Sequence, residues 1–234
     1  MGFLDIIKAQ KALKLHQKGM IPEALAEYER LYQSGHISAT YMLPYSILLL
    51  KKGGQENYEK VKEILKKAEK APDLSPDKRT QLLMYYAVAQ YKLGELDKAI
   101  HLLEAAHRKS PCGNTYGALG FLYIQAGDAE KALPFNQTAL EYDEEDPVAL
   151  DNLAQTYYRL LGDKETAKPY FEKALEFKAG QIDTLYFLSR YDLEDGNTQA
   201  ALEKLEKAAK GNFSPLNYVT KEQVEQEIRQ LKNA

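Results

Sequence analysis

Apolar positions recur along this chain at the spacing of one helix face, and the pattern predicts helices from end to end. In the clearest stretches the apolar residues stand three or four positions apart, as at Ala99, Leu102, Leu103 and Ala106. Residues at that spacing share one stripe of an α-helix, because the helix has about 3.6 residues per turn. Each predicted helix therefore buries one stripe and exposes the other.

Glycines interrupt the helical pattern at regular intervals. The series Gly19, Gly53, Gly94, Gly127, Gly162 and Gly196 has separations of 34, 41, 33, 35 and 34 residues. Glycine can end a helix in the left-handed conformation at little steric cost, and an acidic residue commonly opens the next helix. The spacing predicts an all-α chain of about six helix pairs.

Small residues follow the glycines at fixed distances. Five residues after five of the six glycines come Ala24, Ala99, Ala132, Ala167 and Ala201, and Val61 takes this place in the second repeat. Seven residues later again come Ala106, Ala139, Ala174 and Ala208. Small side chains allow two helix axes to approach closely. These positions are therefore predicted to lie where paired helices pack.

The combined pattern resembles the tetratricopeptide repeat. The best match is Tyr116-Gly-Ala-Leu119-Gly120-Phe-Leu-Tyr123 followed by Gly127, Ala132 and Ala139. Leu150, Leu153, Ala154 and Tyr157 repeat it, with one additional residue before Gly162. The resemblance covers nearly the whole chain and is closest over residues 80–210. It implies a right-handed superhelical solenoid of antiparallel helix pairs that binds a peptide or a partner helix.

The second repeat and the C-terminal end depart from the repeat pattern. Residues 1–210 are predicted to form the repeat array, and residues 211–234 a loop and a C-terminal capping helix. Thr220 and Gln223 have the spacing of a capping box at the start of that helix. The second repeat contains Pro44 and an insertion that ends near Pro76. A joint is therefore predicted near residues 53–79.

The resemblance also implies which side chains would meet a partner, because the first helix of each pair lines the concave surface in this family. The inward positions are Met84, Tyr85, Val88, Asn114, Phe121, Gln125, Asn152, Gln155, Tyr158, Arg159, Tyr186 and Arg190. Tyrosine offers contact area at a small entropic cost, and amides can pair with an extended backbone. Asn152, Arg159 and Arg190 are the favoured specific contacts. The alternative for the aromatic residues is packing between neighbouring helices.

Composition limits the classes of function. The 31 basic and 34 acidic residues are interspersed and give a net charge of −3, which does not favour nucleic acid as a partner. The single cysteine, Cys112, cannot form an internal disulfide. The chain shows neither a signal peptide nor an apolar run long enough to span a membrane, so a cytoplasmic location is predicted.

No set of residues has the spacing of a catalytic or metal centre, so the chain is predicted not to be an enzyme and to need no cofactor. His101 and His107 are six residues apart, which does not place them on one helix face. Cys112 has no nearby cysteine. The acidic run at 141–146 lacks the pattern of a calcium loop, and the lysines of 60–70 alternate with glutamates as on a solvated helix face.

Two functions remain open from the sequence. A binding module or scaffold for a protein or peptide is favoured, because the groove positions are aromatic and rich in amides. The alternative is a self-assembling structural protein that holds another copy at the concave face or at the apolar start of the chain, Phe3, Leu4, Ile6 and Ile7. The oligomeric state in solution would separate the two.

Overall fold

The computed structural model describes the backbone of residues 3–233 and the side chains of residues 7–233, so the apolar residues Phe3, Leu4 and Ile6 lie outside the described side chains. Within that range the chain forms helices and no strand, which confirms the predicted all-α fold. The helices are α1 (Phe3–Gln17), α2 (Ile21–Gln33), α3 (Ala39–Lys52), α4 (Gln55–Ala68), α5 (Pro76–Lys92), α6 (Leu96–Lys109), α7 (Gly113–Ala126), α8 (Ala129–Tyr142), α9 (Pro147–Gln155, continued by the π-helical Thr156–Leu161), α10 (Lys164–Phe177), α11 (Ile182–Glu194), α12 (Thr198–Ala209) and α13 (Lys221–Asn233). None of the described helices has both the length and the apolar character needed to cross a bilayer.

The chain divides into two compact units, Met1–Ala106 and His107–Ala234. In the first unit α1 packs on α2, α3 packs on α4, and α5 packs on both α3 and α4. In the second unit each helix from α7 to α13 packs on the next one along the chain. Short turns join these neighbours, as in helical hairpins. The joint predicted near residues 53–79 would fall inside the first unit and stays a prediction.

The turn between α7 and α8 shows why glycine ends the first helix of a pair. Gly127 has φ 73° and ψ 14°, in the left-handed region, where a Cβ atom would be strained. Its N–H donates to the carbonyl of Ile124, and the next N–H, of Asp128, donates to that of Tyr123. Asp128 then accepts from the backbone N–H of Lys131 and opens α8. The other repeat glycines also have positive φ: Gly19, Gly53, Gly94, Gly162 and Gly196.

The repeat alanines lie in the helix contacts, as predicted. Those without exposed surface include Ala24, Ala99, Ala132, Ala167 and Ala201, and Val61 is also fully buried. The second set, Ala106, Ala139, Ala174 and Ala208, is at most 8% exposed. Larger side chains at these positions would force the paired helices apart.

Asp73 fixes the insertion that follows α4 to the start of α3. Its carboxylate accepts hydrogen bonds from the hydroxyl of Ser38 (2.8 Å) and from the backbone N–H groups of Ala39 (2.8 Å) and Thr40 (2.9 Å). Burial tends to raise the pKa of Asp73, but the hydrogen bonds outweigh it and hold the pKa well below its usual range. Because no side chain within α3 caps this helix, Asp73 supplies the cap from about one repeat away along the chain.

We expect Asp73→Asn to lower the free energy of unfolding by about 2 kcal/mol at pH 7, because an amide can accept at only one of its two positions. The measurement is urea unfolding followed by far-UV circular dichroism. The stabilisation by Asp73 is present above the ordinary carboxyl pKa of about 4 and is lost as the pH falls through the depressed pKa of the folded state. Asp77→Asn, on the first turn of α5, is the control and should cost less than about 1 kcal/mol. Equal losses for the two variants would contradict the capping role.

The C-terminal segment completes the second unit. The N–H of Gln223 donates to the hydroxyl of Thr220 (3.2 Å), and the N–H of Thr220 donates to the side-chain oxygen of Gln223 (2.8 Å), which confirms the predicted capping box. Val224 is fully buried in a cluster with Ile182 and Leu205, against which Ile228 and Leu231 also pack. Helix α13 therefore covers the apolar surface that α11 and α12 would otherwise expose.

Candidate functional site

The first helices of the pairs in the second unit, α7, α9 and α11, adjoin one another and form a surface that we call the first-helix face. Asn152 of α9 donates to a backbone carbonyl of α7, 2.9 Å away. The hydroxyl of Thr184 in α11 donates to Asp151 of α9. Helix α13 continues the series, because its Glu227 forms an ion pair with Arg190 of α11. Four helices therefore contribute side chains to this face.

A row of polar side chains lies beneath the face. Nη1 of Arg159 donates to Oε1 of Gln155 (3.0 Å), and Nε2 of Gln155 donates to Oδ2 of Asp151 (2.7 Å). Gln155 has no exposed surface and Asp151 is 3% exposed. Buried polar groups are stable when they are paired in this way. The row runs along α9 itself, and only Arg159 reaches the surface.

Two carboxyl groups below the face are desolvated. Burial, followed by repulsion from the charge of Asp183, raises the pKa of Asp151 to about 7. Burial also raises the pKa of Asp183, but hydrogen bonds from Asn217 and from the backbone N–H groups of Tyr218 and Val219 oppose the rise. Two carboxylates in one buried site cannot both be ionised at low cost. We assign the charge to Asp183, which accepts more hydrogen bonds, and the proton to Asp151.

Asp183 also positions the segment that leads into α13. Its Oδ2 accepts hydrogen bonds from Nδ2 of Asn217 (3.0 Å) and from the backbone N–H of Tyr218 (2.9 Å). The centroid of the Tyr218 ring consequently lies 4.0 Å from the guanidinium carbon of Arg159. The same ring stacks on Phe187, with the two ring centroids 5.2 Å apart. This segment therefore folds back onto the first-helix face and forms part of it.

A polar pocket lies between α11 and α13, and we call it the end pocket. It has a volume of about 360 Å³ and is lined by Tyr186, Arg190, Tyr218, Val219, Gln223, Gln226, Glu227 and Gln230. The guanidinium of Arg190 pairs with Glu227 and donates to the hydroxyl of Tyr186. Because Glu227 neutralises Arg190, the pocket presents amide and aromatic groups with little net charge.

The structure separates the predicted contact residues of the second unit into a surface set and a buried set. The side chains that keep accessible surface are Asn114, Gln125, Arg159, Tyr186 and Arg190. The buried side chains, at most 3% exposed, are Phe121, Asn152 and Gln155. A side chain with so little surface cannot touch a partner unless the helices separate. We therefore assign Phe121, Asn152 and Gln155 to the interior, where Asn152 joins α9 to α7.

Tyr158 packs between α10 and α11 and stays half-buried. The π-helical Thr156–Leu161 accommodates the additional residue before Gly162. The ring of Tyr158 meets the rings of Phe171 and Phe187, with centroids 6.3 Å and 5.0 Å away. Tyr158 therefore keeps accessible surface beside Arg159 and stays a candidate contact.

The predicted contact residues of the first unit lie on α5. Val88 is buried, with 6% of its surface exposed, whereas Met84 and Tyr85 are half-buried. The hydroxyl of Tyr85 accepts a hydrogen bond from the amide of Gln81 (2.7 Å), and burial raises the pKa of Tyr85. Met84 and Tyr85 stay candidate contacts on the surface of the first unit.

Six of the eight residues that line the end pocket are absent from the sequence-based set. Tyr218 comes from an irregular segment, whose path no helical periodicity could indicate. Gln223, Gln226 and Gln230 share one stripe of α13, apart from the stripe of the buried Val224. This row of amides on one face of α13 could have indicated a contact surface. It is absent from the sequence-based set because α13 is interpreted there only as a capping helix.

Other candidate chemistry has a structural explanation. No set of three or more His, Cys, Asp or Glu side chains could hold a metal ion in the part of the chain that the structure describes. Nδ1 of His107 lies 2.9 Å from the hydroxyl of Thr115, and the backbone N–H of Cys112 donates to the same oxygen (3.1 Å). These residues build the turn before α7.

Comparison with known proteins gives matches to one repeat family. Family models described as tetratricopeptide repeat match residues 112–179 and 81–111. A tetratricopeptide repeat protein from Parabacteroides merdae has a TM-score of 0.79 at 12% identity, over 98% of this chain and 84% of that chain. PilW, a widely conserved type IV pilus biogenesis factor, has a TM-score of 0.66 at 18% identity, over 97% and 100%. A thermophilic TPR protein from Thermus thermophilus has a TM-score of 0.56 at 16% identity, over 98% and 100%. The search of curated protein sequences found no match.

The solved structures establish the fold alone, because sequences that are only 12–18% identical to this chain do not show a shared function. The two family matches adjoin each other and identify the repeats from residue 81 to residue 179 by sequence. Tetratricopeptide repeats generally form non-catalytic scaffolds for protein interaction. The residues, the helix pairs and the matches agree, and this chain is a tetratricopeptide-repeat protein whose repeats are identified by sequence over residues 81–179.

Proposed function

We propose that the first-helix face of the second unit binds an extended segment of a partner protein, with the end pocket as the main point of contact. The observation that carries this proposal is the end pocket itself, which has a volume of about 360 Å³ and a mainly polar lining. A pocket of that size accommodates one or two side chains of a peptide together with their backbone.

The groups in the end pocket favour a polar, uncharged segment. Gln226 and Gln230 are exposed, and each amide can both donate and accept a hydrogen bond, as the backbone of an extended peptide requires. The charge of Arg190 is neutralised by Glu227, so a charged peptide would gain little and would disturb a formed ion pair. Tyr186 and Tyr218 supply aromatic surface beside the amides.

The contact surface extends from the end pocket towards α7. Arg159 lies beside Tyr218 and also reaches Oε1 of Gln125 on α7, 3.5 Å away. Asn114 is exposed near the start of the same helix. A segment that enters the end pocket and continues along the face would therefore pass Arg159 and approach Asn114.

We expect Gln226→Ala combined with Gln230→Ala to weaken peptide binding at least about tenfold, because two hydrogen bonds of about 1 kcal/mol each are removed. Peptides would be selected against the full chain from a displayed random library, and the affinity of the best synthetic peptide would be measured by calorimetry. Far-UV circular dichroism would show whether both variants keep their helices.

The matched control is Gln137→Ala combined with Gln199→Ala. These exposed amides lie on the second helices α8 and α12, away from the end pocket. The control should bind the selected peptide with unchanged affinity. Loss of binding in the control alone, or full binding by the end-pocket variant, would show that the peptide uses another surface.

A further inference from the structure

A second pocket, which we call the lysine pocket, lies in the first unit. It has a volume of about 300 Å³ and is lined by Tyr32, Gly35, His36, Ile37, Met42, Lys66, Lys67 and Lys70. Its lining comes from the end of α2, the connection to α3, the first turn of α3 and the end of α4 with the residues that follow it. Met42 is buried and Ile37 is 37% exposed, so the pocket has an apolar lining between cationic side chains.

The three lysines at this pocket have no carboxylate partner within 4 Å among residues 7–233. The sequence suggests that neighbouring glutamates neutralise the basic stretch of α4. Of the lysines in this helix, Lys62 pairs with its neighbour Glu59 (3.7 Å) and with Glu95 (3.2 Å), and Lys60 pairs with Glu29 (2.6 Å). Lys67 lies 4.2 Å above the ring of Tyr32. The lysine pocket therefore has an uncompensated positive charge around an apolar surface.

A surface with negative charge around an aromatic side chain lies at the end of α8 and on the turn to α9, and we call it the acidic turn. Five carboxylates, Glu141, Asp143, Glu144, Glu145 and Asp146, surround Tyr142 in sequence. None of them forms an ion pair within the described residues. The ring of Tyr142 packs on the ring of Tyr116, with the centroids 4.9 Å apart, and is 55% exposed on its other side. The turn has a defined conformation, because Asp143 accepts the N–H of Glu145 and Asp146 accepts the N–H of Val148.

We propose that the lysine pocket of one copy binds the acidic turn of a second copy, with Tyr142 inserted against Tyr32 and Ile37 and its flanking carboxylates beside Lys66, Lys67 and Lys70. The two surfaces are complementary in charge, and each has an apolar centre that the other can cover. Burial of a central aromatic side chain surrounded by charge pairs is the arrangement that gives protein contacts both affinity and orientation.

This contact differs from the binding proposed for the first-helix face, and it does not depend on it. Every copy carries both surfaces, and the surfaces are different, so the contact is heterologous and association can proceed beyond a dimer. The charges are exposed, so salt should weaken the association strongly.

Sedimentation equilibrium of the full chain tests the proposal. At low ionic strength the average mass should rise above the monomer mass of 26.5 kDa as the concentration increases, and at about 0.5 M salt it should return towards the monomer value. Lys66→Glu, Lys67→Glu and Lys70→Glu together, or Tyr142→Ser alone, should each weaken association at least about tenfold. A wild-type chain that stays monomeric at all concentrations and low salt would overturn the proposal.

A charge exchange between two variants separates specific contact from general repulsion. A chain with Glu141→Lys, Glu144→Lys and Glu145→Lys should not associate with itself, and neither should the lysine-pocket triple variant. A mixture of the two should associate, because each reversed surface then meets one of opposite charge. As a control, Lys173→Glu, Lys207→Glu and Lys210→Glu make the same change in net charge at exposed positions elsewhere and should leave association unchanged. Failure of the mixture to associate would also overturn the proposal.

Discussion

Gly120→Ala should destabilise the second unit by about 3 kcal/mol, although alanine is the better helix former by about 1 kcal/mol. A Cβ atom on Gly120 would lie 2.0 Å from Oδ1 of Asn136 and 3.1 Å from Nδ2 of Asn152. Asn136 has no exposed surface, and its Nδ2 donates to the hydroxyl of Thr156 (3.1 Å). The added methyl group must displace Asn136, which breaks this bond and leaves a buried amide without partners.

Gly113→Ala is the matched control for Gly120→Ala on the same helix. A Cβ atom on Gly113 would meet only the carboxylate of Asp146, at 3.9 Å, which is an ordinary contact distance. This substitution should be neutral or stabilise the chain by up to about 1 kcal/mol, because it restricts the unfolded chain. Urea unfolding followed by circular dichroism measures both variants.

A double-mutant cycle locates the cause of the destabilisation. Oδ1 of Asn136 has no hydrogen-bond partner, so Asn136→Ala alone should be mild. Combined with Gly120→Ala it should recover most of the lost stability, because the atom that the methyl group strikes is gone. If the destabilising effects of the two substitutions simply add, the methyl group of the Gly120→Ala variant does not strike Asn136, and another residue causes the loss of stability.

The repeat architecture could be predicted from the sequence because its signals are local. The positive φ of Gly127 and the complete burial of Ala132 follow from single residues at fixed spacing, and both recur in the other repeats. The hydrogen bonds of Asp73 were not predictable, because they join residues about one repeat apart and depend on how the insertion folds back.

The candidate site was less predictable than the fold, for two physical reasons. Periodicity indicates the side of a helix on which a residue lies, but it does not separate a groove from the seam between adjoining helices. Asn152 and Gln155 lie in that seam and are buried. The second reason is that periodicity does not show which aromatic rings pack on rings of neighbouring helices, as Tyr158 packs on Phe171 and Phe187.

The buried pair Asp151 and Asp183 should make the stability of the second unit fall as the pH rises from about 4 to about 7. Between these values the unfolded chain has released the Asp151 proton, because its ordinary pKa is near 4, whereas the folded chain retains it, because burial raises the pKa of Asp151 to about 7. The folded state thus binds more protons over this interval, and its free energy of unfolding decreases with pH. Above pH 7 both states have released the proton and this contribution is constant.

Asp151→Asn should therefore stabilise the second unit at pH 8, by an amount on the order of 3 kcal/mol, and have little effect at pH 4. An uncharged amide resembles the protonated acid: its oxygen can accept from Gln155, and its N–H can donate to the hydroxyl of Thr184, which can also accept. Thermal and urea unfolding at both pH values measure the difference between variant and wild type. The exposed Asp195 provides the control, because Asp195→Asn should shift stability equally at the two pH values. A stabilisation by Asp151→Asn that is the same at pH 4 and pH 8 would mean that Asp151 is ionised in the folded protein, and that the buried site holds two charges.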